Sequence, residues 1–236
     1  MQPYYERDGI TLFHGDCREI LPTLASESID FILTDPPYLV SYSGRWGAAQ
    51  GIIEGDSDPA WLMPVFGELW RTLKQNSLCL TFYGWPHAEE FFSTWRQVGF
   101  RPVSSVIFIK DRWGLGYFTR SQHEEAILLA KGNPPRPAHS ISDVVEYKRP
   151  HLPWHPNEKP VAPISQVMSS YACSGKGLVL DPFCGSGTTL LAARSLGRRA
   201  VGIEIEEGYC ELSALRLSQQ TLDYQEPAKS EQLPLV

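Results

Sequence analysis

The 236-residue sequence lacks several features that mark familiar classes of protein. Its five cysteines are scattered without a Cys-x-x-Cys pair, so neither a zinc site nor a disulfide framework is indicated. No apolar stretch approaches the roughly 20 residues that a membrane-spanning helix needs, and the polar segment 1–8 has no signal-peptide core. These absences predict a cytoplasmic protein with reduced, mostly buried thiols, no bound metal and no membrane partner.

Positive charge is also scarce, because 21 lysines and arginines face 27 aspartates and glutamates, for a formal net charge of −6. A protein that binds nucleic acid needs a basic face, although it need not be basic overall. Basic residues cluster at 131–136, 148–151 and 194–199, and such clusters are also common on ordinary solvated surfaces. The charge balance therefore argues mildly against a nucleic-acid substrate without excluding one.

Apolar periodicity predicts alternating strands and helices with no internal repeat. The predicted strands are 29–34, 78–83, 103–110 (buried), 124–130, 178–181 and 200–205, and the predicted helices are 62–73, 88–98, 162–172, 188–196 and 208–217. Residues 132–154 show little regular period, and the polar tail 223–236 is expected to be loose. This alternation favours one α/β domain over residues 1–222, with a doubly wound, largely parallel sheet whose ligands lie at the carboxyl ends of the strands.

A turn that contains two glycines follows the predicted strand 178–181 and precedes a helix. Gly185 and Gly187 let the backbone pass close to a ligand, and the free amides at the helix start favour an anionic group. Glu204 ends the next strand, where a ribose-binding carboxylate is expected. Leu190 replaces the third glycine of a dinucleotide fingerprint, and no P-loop lysine follows. A ribose partner and a carboxylate partner without a pyrophosphate site suit S-adenosylmethionine, although a tight turn without a ligand also fits this motif alone.

The tetrapeptide Asp35-Pro36-Pro37-Tyr38 follows another predicted strand end and is either a rigid turn or a catalytic motif. An exocyclic base amine is a poor nucleophile because its lone pair is delocalised into the ring. The Asp35 carboxylate and the Pro36 carbonyl can accept its two hydrogens and aim the lone pair at a methyl donor, and Tyr38 can stack on a flipped base. No Pro-Cys pair is present, which argues against methylation at ring carbon 5 of cytosine.

Asp-Pro-Pro-Tyr followed by Asp-Pro-Phe-Cys-Gly-Ser-Gly-Thr-Thr resembles the amino-methylating DNA methyltransferases. The order of the two motifs resembles the beta class, a circularly permuted arrangement. The segments 14–17, 123–127 and 155–160 are similar to further family motifs, so the resemblance covers about residues 12 to 217. It implies a seven-stranded, Rossmann-like methyltransferase sheet with one antiparallel strand. It also implies that an aspartate in the first tetrapeptide position goes with adenine N6, whereas a serine goes with cytosine N4.

The resemblance assigns roles to two sets of residues. The catalytic set at the target amine comprises Asp35, Pro36, Pro37 and Tyr38. The set around S-adenosylmethionine comprises Asp16, Lys159, Pro160, Asp181, Pro182, Phe183, Cys184, Gly185, Ser186, Gly187, Thr188, Thr189 and Glu204. We therefore expect an S-adenosylmethionine-dependent DNA methyltransferase that modifies the N6 amine of adenine.

The elements that would recognise DNA depart from the family pattern. Many beta-class enzymes carry a long target-recognition insertion, whereas only the turn-rich loop 132–154 and the loop 39–58 are available here. The candidate DNA-binding residues are Tyr42, Arg45, Trp46, Arg136, Lys148 and Arg149. Because a short loop can place few side chains against base edges, we expect a short or relaxed recognition sequence in duplex or single-stranded DNA. A homodimer that joins two basic patches is compatible with the sequence, and 39–58 can alternatively be a surface lid.

Several functional alternatives remain open from the sequence. The same architecture can methylate N4 of cytosine. Methyltransferases for RNA bases or protein amides use a similar turn, but they usually carry the two motifs in the reverse order. A DNA-binding module without catalysis is expected to have lost Asp35 or the glycines, which are all present. The small size suits a solitary prokaryotic or phage methyltransferase with no obligatory partner nuclease.

Overall fold

The computed structural model describes residues 2–39, 59–114, 117–137, 141–148, 159–172, 175 and 177–219. The helices are α1 (Cys17–Ile20), α2 (Leu62–Thr72), α3 (Ala88–Val98), α4 (Val161–Tyr171), α5 (Thr188–Ser195) and α6 (Glu207–Ser218). The strands are β1 (Tyr5–Arg7), β2 (Ile10–His14), β3 (Ile29–Thr34), β4 (Leu73–Phe82), β5 (Arg101–Lys110), β6 (His123–Lys131), β7 (Val144–Tyr147), β8 (Leu178–Asp181) and β9 (Arg199–Glu204). Every predicted strand and helix is present, and the predicted tail 223–236 lies outside the described residues.

The described strands form one sheet in the order β1-β2-β9-β8-β3-β4-β6-β5-β7. The run from β2 to β4 is parallel throughout. β6 is antiparallel to both of its neighbours, and β7 is parallel to β5. The seven central strands reproduce the expected methyltransferase sheet with its one antiparallel strand. The expected total of seven is too small, because β1 and β7 extend the sheet to nine strands.

Two predictions about the far edge of the sheet are wrong. β7 lies inside 132–154, where no regular structure is predicted, and pairs with residues 107–110 of β5. A four-residue strand with one buried side chain, Val145, has too little periodicity to be recognised in the sequence. β5 is not buried throughout as predicted, since only Val106 and Phe108 are buried and Val103 is exposed. Near a sheet edge, one face of β5 is incompletely covered.

Helices cover both faces of the sheet, which confirms the doubly wound architecture. α4, α5 and α6 pack on one face in a core that includes Phe31 and Leu80. α1, α2 and α3 pack on the opposite face, where Phe66 and Trp95 are fully buried. α3 ends as predicted at Gly99, whose φ of 107° is left-handed.

Four of the five cysteines lie in the described residues. Cys17, Cys79, Cys184 and Cys210 are buried free thiols. No cluster of histidine, cysteine and acidic side chains in the described ranges has the arrangement of a metal site. None of the described helices has the length and apolar character needed to cross a membrane.

Seven strands end on the same side of the sheet, which we call the carboxyl edge. Their last residues are His14, Glu204, Asp181, Thr34, Phe82, Lys110 and Tyr147. β6 runs in the opposite direction, so its first residues, His123 and Glu124, also lie at this edge. The tetrapeptide 35–38 and the turn 182–187 follow the neighbouring strands β3 and β8, so the fold brings both predicted motifs to one site.

Candidate active site

The tetrapeptide leaves the end of β3 and is held by contacts of its own side chains. The Tyr38 hydroxyl donates a hydrogen bond of 2.6 Å to Oδ1 of Asp35, and the Lys159 ammonium donates one to Oδ2. Burial raises the pKa of Tyr38 well above its usual range, and the negative charge of Asp35 adds to this effect, so the hydroxyl remains a donor at neutral pH. The Asp35 side chain is still 37% exposed, which leaves the fixed carboxylate accessible to a substrate.

Lys159 connects Asp35 to a chain of alternating charges, which we call the charge chain: Asp35, Lys159, Glu124 and Lys110. The Lys159 ammonium lies 3.3 Å from Oε2 of Glu124, and Oε1 of Glu124 lies 2.6 Å from Nζ of Lys110. Burial by itself lowers the pKa of Lys159, but the carboxylates of Asp35 and Glu124 outweigh burial and raise it. Burial by itself raises the pKa of Glu124, but Lys159 and Lys110 outweigh burial and lower it. Lys159 and Glu124 are therefore both charged at neutral pH.

This pairing is not predicted from the sequence, in which the resemblance assigns Lys159 to the cofactor and gives Glu124 no role. The missing signal was the direction of β6: because this strand is antiparallel, its first residues, and not its last, lie beside Asp35. The ring of Phe82 completes the surroundings of Lys159, with the ammonium 4.0 Å from the ring centroid in cation–π geometry.

Gly84 is a second residue of the site that no sequence motif predicts. A Cβ built on Gly84 would lie 2.8 Å from Cβ of Tyr38 and still closer to the carbonyl oxygen of Tyr38. Real Cβ atoms do not approach other atoms so closely, so only glycine fits here without displacing the tetrapeptide. Its φ of −84° is ordinary, so the requirement is steric and comes from Tyr38. The signal in the sequence was a glycine two residues after the end of a strand, β4, that neighbours β3.

The glycine turn rests on α6 on one side and is open on the other. Gly187 has a φ of 83°, and a Cβ there would lie 2.5 Å from Oγ of Ser213. Ser213 donates a 2.9 Å hydrogen bond to the Gly185 carbonyl, and Arg216 donates bonds of 2.6 and 2.9 Å to the carbonyl and hydroxyl oxygens of Ser186. Gly185 has a φ of 50°, and no atom of the described residues lies within 4 Å of a Cβ built on it. A ligand can therefore approach the backbone at Gly185.

Glu204 lies against this turn from the adjacent strand. Its Oε2 accepts a 2.8 Å hydrogen bond from the Gly185 amide, and its Oε1 accepts a 2.9 Å bond from the Glu206 amide. Burial raises the pKa of Glu204, although these backbone amides act in the opposite direction. Each carboxylate oxygen can accept a second hydrogen bond, so the anchored side chain can receive sugar hydroxyls.

Asp181, the last residue of β8, supports the turn that follows it. It is 3% exposed, and burial raises its pKa to about 7 in spite of hydrogen bonds from the Thr189 side chain and the Phe183 amide. The hydrogen bond from the Phe183 amide to Oδ1 of Asp181 measures 3.1 Å. The Phe183 ring packs edge to face on Trp61 at 5.4 Å between centroids. Asp181 therefore fixes the backbone that presents Phe183 and does not itself face solvent.

Asp16 lies beside Glu204, because His14 and Glu204 are register partners of β2 and β9. The Asp16 side chain caps α1 through a 2.8 Å bond from the Arg18 amide and also binds the Arg18 guanidinium. This pairing with Arg18 lowers the pKa of Asp16. The carboxylate is therefore held, ionised, at the same edge as Glu204.

The remaining predicted cofactor residues join the two halves of the edge. The Thr188 hydroxyl donates a 3.1 Å bond to the Lys159 carbonyl, just before Pro160 caps the start of α4. Cys184 is buried, and its amide binds the Ile203 carbonyl at 3.0 Å. Pro182 lies in the turn that follows β8. The structure thus gathers all the predicted cofactor residues along one edge of the sheet.

This arrangement fits S-adenosylmethionine on the observed geometry. The open side of Gly185 gives room beside the backbone, and the anchored carboxylates of Glu204 and Asp16 suit the ribose and adenine of a nucleoside. The start of α5 lies beside the same turn, where free backbone amides favour a carboxylate. S-adenosylmethionine has no pyrophosphate, so the site does not need a phosphate-binding loop.

The predicted DNA-binding residues are placed only in part. Tyr42, Arg45, Trp46 and Arg149 lie outside the described residues. Lys148 is exposed and follows the end of β7, at the carboxyl edge. Arg136 is exposed but lies three residues after Asn133, whose amide binds the Asn76 side chain near the start of β4. The structure therefore does not bring Arg136 together with Asp35.

Comparison with known proteins identifies the family. The family model described as DNA methylase matches residues 29–215. The protein YubD of Escherichia coli (strain K12) is 39% identical over 204 residues, which cover 86% of this chain and 88% of YubD. DNA adenine methyltransferase YhdJ of the same organism is 27% identical over 247 residues, which cover 88% of this chain and 82% of YhdJ.

A solved structure shares the fold. PvuII DNA methyltransferase (cytosine-N4-specific) superposes with a TM-score of 0.76 at 17% identity, over 94% of this chain and 90% of that one. The chain belongs to the DNA methylase family of N6- and N4-amino methyltransferases, beta class, for which S-adenosylmethionine is the methyl donor.

Proposed function

We propose that this protein methylates the N6 amine of adenine in DNA. The observation that carries the proposal is the Asp35 carboxylate, which Tyr38 and Lys159 hold by both oxygens while it stays open to solvent. An aspartate at this position, rather than a serine, is the feature that the resemblance associates with adenine. The name of the relative YhdJ, a DNA adenine methyltransferase, supports the same choice.

The carboxylate and the neighbouring carbonyl are proposed to activate the amine. Asp35 and Pro36 each offer an acceptor to one N–H, and the two consecutive prolines fix the separation of these acceptors. Accepting both hydrogens draws the nitrogen toward tetrahedral geometry, so its lone pair is available to an electrophile. When bound, S-adenosylmethionine would supply the methyl group from its sulfonium and become a neutral thioether, and the amine would lose one of its two hydrogens as a proton. Positioning of this kind can lower a barrier by several kcal/mol.

Tyr38 is proposed to serve both the carboxylate and the base. Its hydroxyl orients Asp35 through the 2.6 Å hydrogen bond, and that bond also fixes the ring. The ring then offers a flat face on which a base withdrawn from the helix can stack. Gly84 leaves the space that this position of Tyr38 requires.

The charge chain is proposed to keep the Asp35 carboxylate oriented. Lys159 is protonated, so it acts as a hydrogen-bond donor and as a counter-charge and not as a proton acceptor. Glu124 pairs with Lys159, and Lys110 pairs with Glu124, so the chain holds the Lys159 ammonium beside Asp35. Lys159 is thus a positioning residue for Asp35, in addition to the cofactor role that the resemblance implies.

The recognised DNA sequence is proposed to be short or relaxed. The chain carries no long insertion between β6 and α4, and 132–154 and 39–58 remain the proposed recognition loops of a single domain, 1–222. Few base edges can be read by so few side chains, at roughly 1–3 kcal/mol for each good pair. Unpaired DNA is an additional proposed substrate because flipping then costs less. A homodimer that joins two basic patches would extend the DNA-contacting surface.

The test is the identity of the methylated nucleoside. Unmethylated DNA is incubated with the protein and S-adenosylmethionine, digested to nucleosides and analysed by mass spectrometry. The proposal predicts N6-methyladenine as the product. N4-methylcytosine would overturn the base assignment and would keep the reaction, and this second candidate is favoured by the fold shared with the cytosine-N4-specific PvuII enzyme. Sequencing of the methylated positions then tests the relaxed site, which a single strict six-base sequence would contradict.

A further inference from the structure

The four most exposed large hydrophobic side chains of the described residues are all aromatic. Tyr117 is 95% exposed, Phe118 94%, Trp85 81% and Trp113 65%. Trp85 follows β4, and the other three lie between β5 and β6, so all four project from the carboxyl edge. Single exposed apolar residues are common, but a group at one edge marks an interaction site.

Three of these aromatic residues belong to a structured hairpin. We call residues 111–114 and 117–122, which connect β5 to β6, the aromatic hairpin. The Lys110 amide binds the Gln122 carbonyl at 2.8 Å, and the Gly114 amide binds the Ser121 carbonyl at 2.7 Å. These bonds extend the β5–β6 ladder outward beyond the sheet. The rings of Tyr117 and Phe118 contact each other edge to face, 4.9 Å apart, and so present one aromatic surface.

The base of the aromatic hairpin is part of the active site. Lys110, the last residue of β5, and Glu124, the second residue of β6, are paired at 2.6 Å across the hairpin base. Glu124 is 3.3 Å from Lys159, which in turn binds Asp35. The hairpin therefore rises directly beside the catalytic carboxylate, where DNA must lie if Asp35 is to reach a base.

Basic side chains accompany the aromatic rings. Arg120 and Arg112 lie on the hairpin and are exposed, and Lys148 is exposed beyond the adjacent β7. The Asp111 amide binds the Tyr147 carbonyl at 3.1 Å, so the hairpin and the strand that carries Lys148 are joined. Exposed aromatic rings interspersed with arginines match the chemistry of unpaired bases and phosphates, since rings stack on bases and guanidinium groups bind phosphates.

We propose that the aromatic hairpin is a DNA-binding element in which Tyr117, Phe118 and Trp113 stack on bases next to the flipped target. Arg112 and Arg120 bind the phosphates that flank these bases. This inference rests on the proposed function, because it takes DNA as the occupant of the carboxyl edge. The hairpin would supply DNA contacts that many beta-class enzymes, by the resemblance, obtain from a long target-recognition insertion. Because every base has a face on which a ring can stack, these contacts would not depend on base identity.

The test compares DNA binding of the wild-type protein and the double variant Tyr117→Ala, Phe118→Ala. Binding is measured by fluorescence anisotropy on labelled random-sequence duplex and single-stranded DNA, at fixed salt. Both side chains lie in solvent, so the double variant should fold normally, which its melting temperature and its S-adenosylmethionine affinity verify. The expected result is a Kd for DNA at least about tenfold higher, equivalent to about 1.4 kcal/mol, with unchanged S-adenosylmethionine affinity. Leu215→Ala, an exposed apolar residue on α6, is the matched control and should bind DNA as the wild type does.

Further variants separate stacking from charge. The exchange Tyr117→Phe, Phe118→Tyr keeps both rings and should restore wild-type binding. Arg120→Gln should reduce the slope of log K against log salt by about one, as the loss of a phosphate contact requires. A double variant that binds DNA and transfers methyl groups within twofold of the wild type overturns the hairpin proposal and leaves the proposed function intact. Wild-type protein that binds DNA without methylating it overturns the proposed function, while the anisotropy comparison still decides the role of the hairpin.

Discussion

Replacing Lys159 with methionine removes the cation between two carboxylates while keeping the length of the side chain. The Lys159 side chain is 12% exposed and lies over the ring of Phe82, a contact that methionine can retain. What disappears is the hydrogen bond to Oδ2 of Asp35 and the ion pair with Glu124 at 3.3 Å. Among the described residues, the hydrogen bond from Tyr38 then remains to orient Asp35.

The cost of this change follows from the burial of the three groups. Breaking a fully buried ion pair by removing one partner costs roughly 3–5 kcal/mol. The side chains of Asp35 and Glu124 are 37% and 25% exposed, so water compensates part of the loss. We expect the activation free energy that kcat/KM reports to rise by about 2–3 kcal/mol. At neutral pH, kcat/KM should therefore fall about 30- to 150-fold. Lys159 is the largest of the charges that lower the pKa of Glu124, so its loss raises that pKa.

The assay is methyl transfer to DNA from pH 6 to 9, with S-adenosylmethionine affinity measured by calorimetry. Lys74→Met is the matched control, because Lys74 forms an ion pair of 2.6 Å with Asp30 near the opposite end of β3. The control should retain wild-type kcat/KM and its pH profile. A Lys159→Met protein with kcat/KM within threefold of the wild type at every pH would refute the positioning role of the charge chain.

Three further variants test other parts of the site. Gly84→Ala places a methyl group against Tyr38 and should lower kcat/KM about tenfold or more with unchanged S-adenosylmethionine affinity. Gly67→Ala, on α2, should have no effect, because a Cβ built there has no neighbour within 4 Å among the described residues. Glu204→Gln should raise the Kd for S-adenosylmethionine about 10- to 100-fold, since hydrogen bonds to charged groups contribute about 1.5–3 kcal/mol; an unchanged Kd in calorimetry removes Glu204 from the ribose site. Asp181 has a folded-state pKa of about 7 against an ordinary value of 3.8. Between these two pH values the folded state binds a proton on Asp181 that the unfolded state has lost. The ligand-free protein therefore loses stability as pH rises from about 3.8 to about 7. From pH 5.5 to 8 the loss should be about 2 kcal/mol in urea unfolding and absent in Asp181→Asn; equal losses in both proteins contradict it.

The sequence was sufficient for the elements that lie near the two motifs. Strands 29–34 and 178–181 were predicted at their observed bounds, since each is a short apolar run that ends at an Asp-Pro pair. The neighbouring parallel pairing of β3 and β8 then follows from the doubly wound architecture, and it brings Asp35 and the glycine turn to one edge. Local sequence was informative here because each motif is a strand end followed by a turn of restricted conformation.

The parts that the sequence did not reveal depend on contacts between distant segments. Lys159 and Asp35 are 124 positions apart, and their pairing requires the direction of α4 and of the antiparallel β6. The need for glycine at position 84 arises from the carbonyl of Tyr38, which no local pattern encodes. β7 escaped prediction because a short edge strand buries only Val145.

Substitution of Asp35 tests the central claim most directly, namely that the carboxyl edge of this sheet transfers a methyl group to DNA through Asp35. Wild-type protein, Asp35→Ala and the surface control Asp8→Asn, at an exposed position before β2, are incubated with tritiated-methyl S-adenosylmethionine and unmethylated duplex or single-stranded DNA. The account predicts label in DNA with the wild type and the control, and none with Asp35→Ala, although all three bind S-adenosylmethionine equally. Undiminished label with Asp35→Ala, or no label in either form of DNA from wild-type protein that binds S-adenosylmethionine, would contradict it.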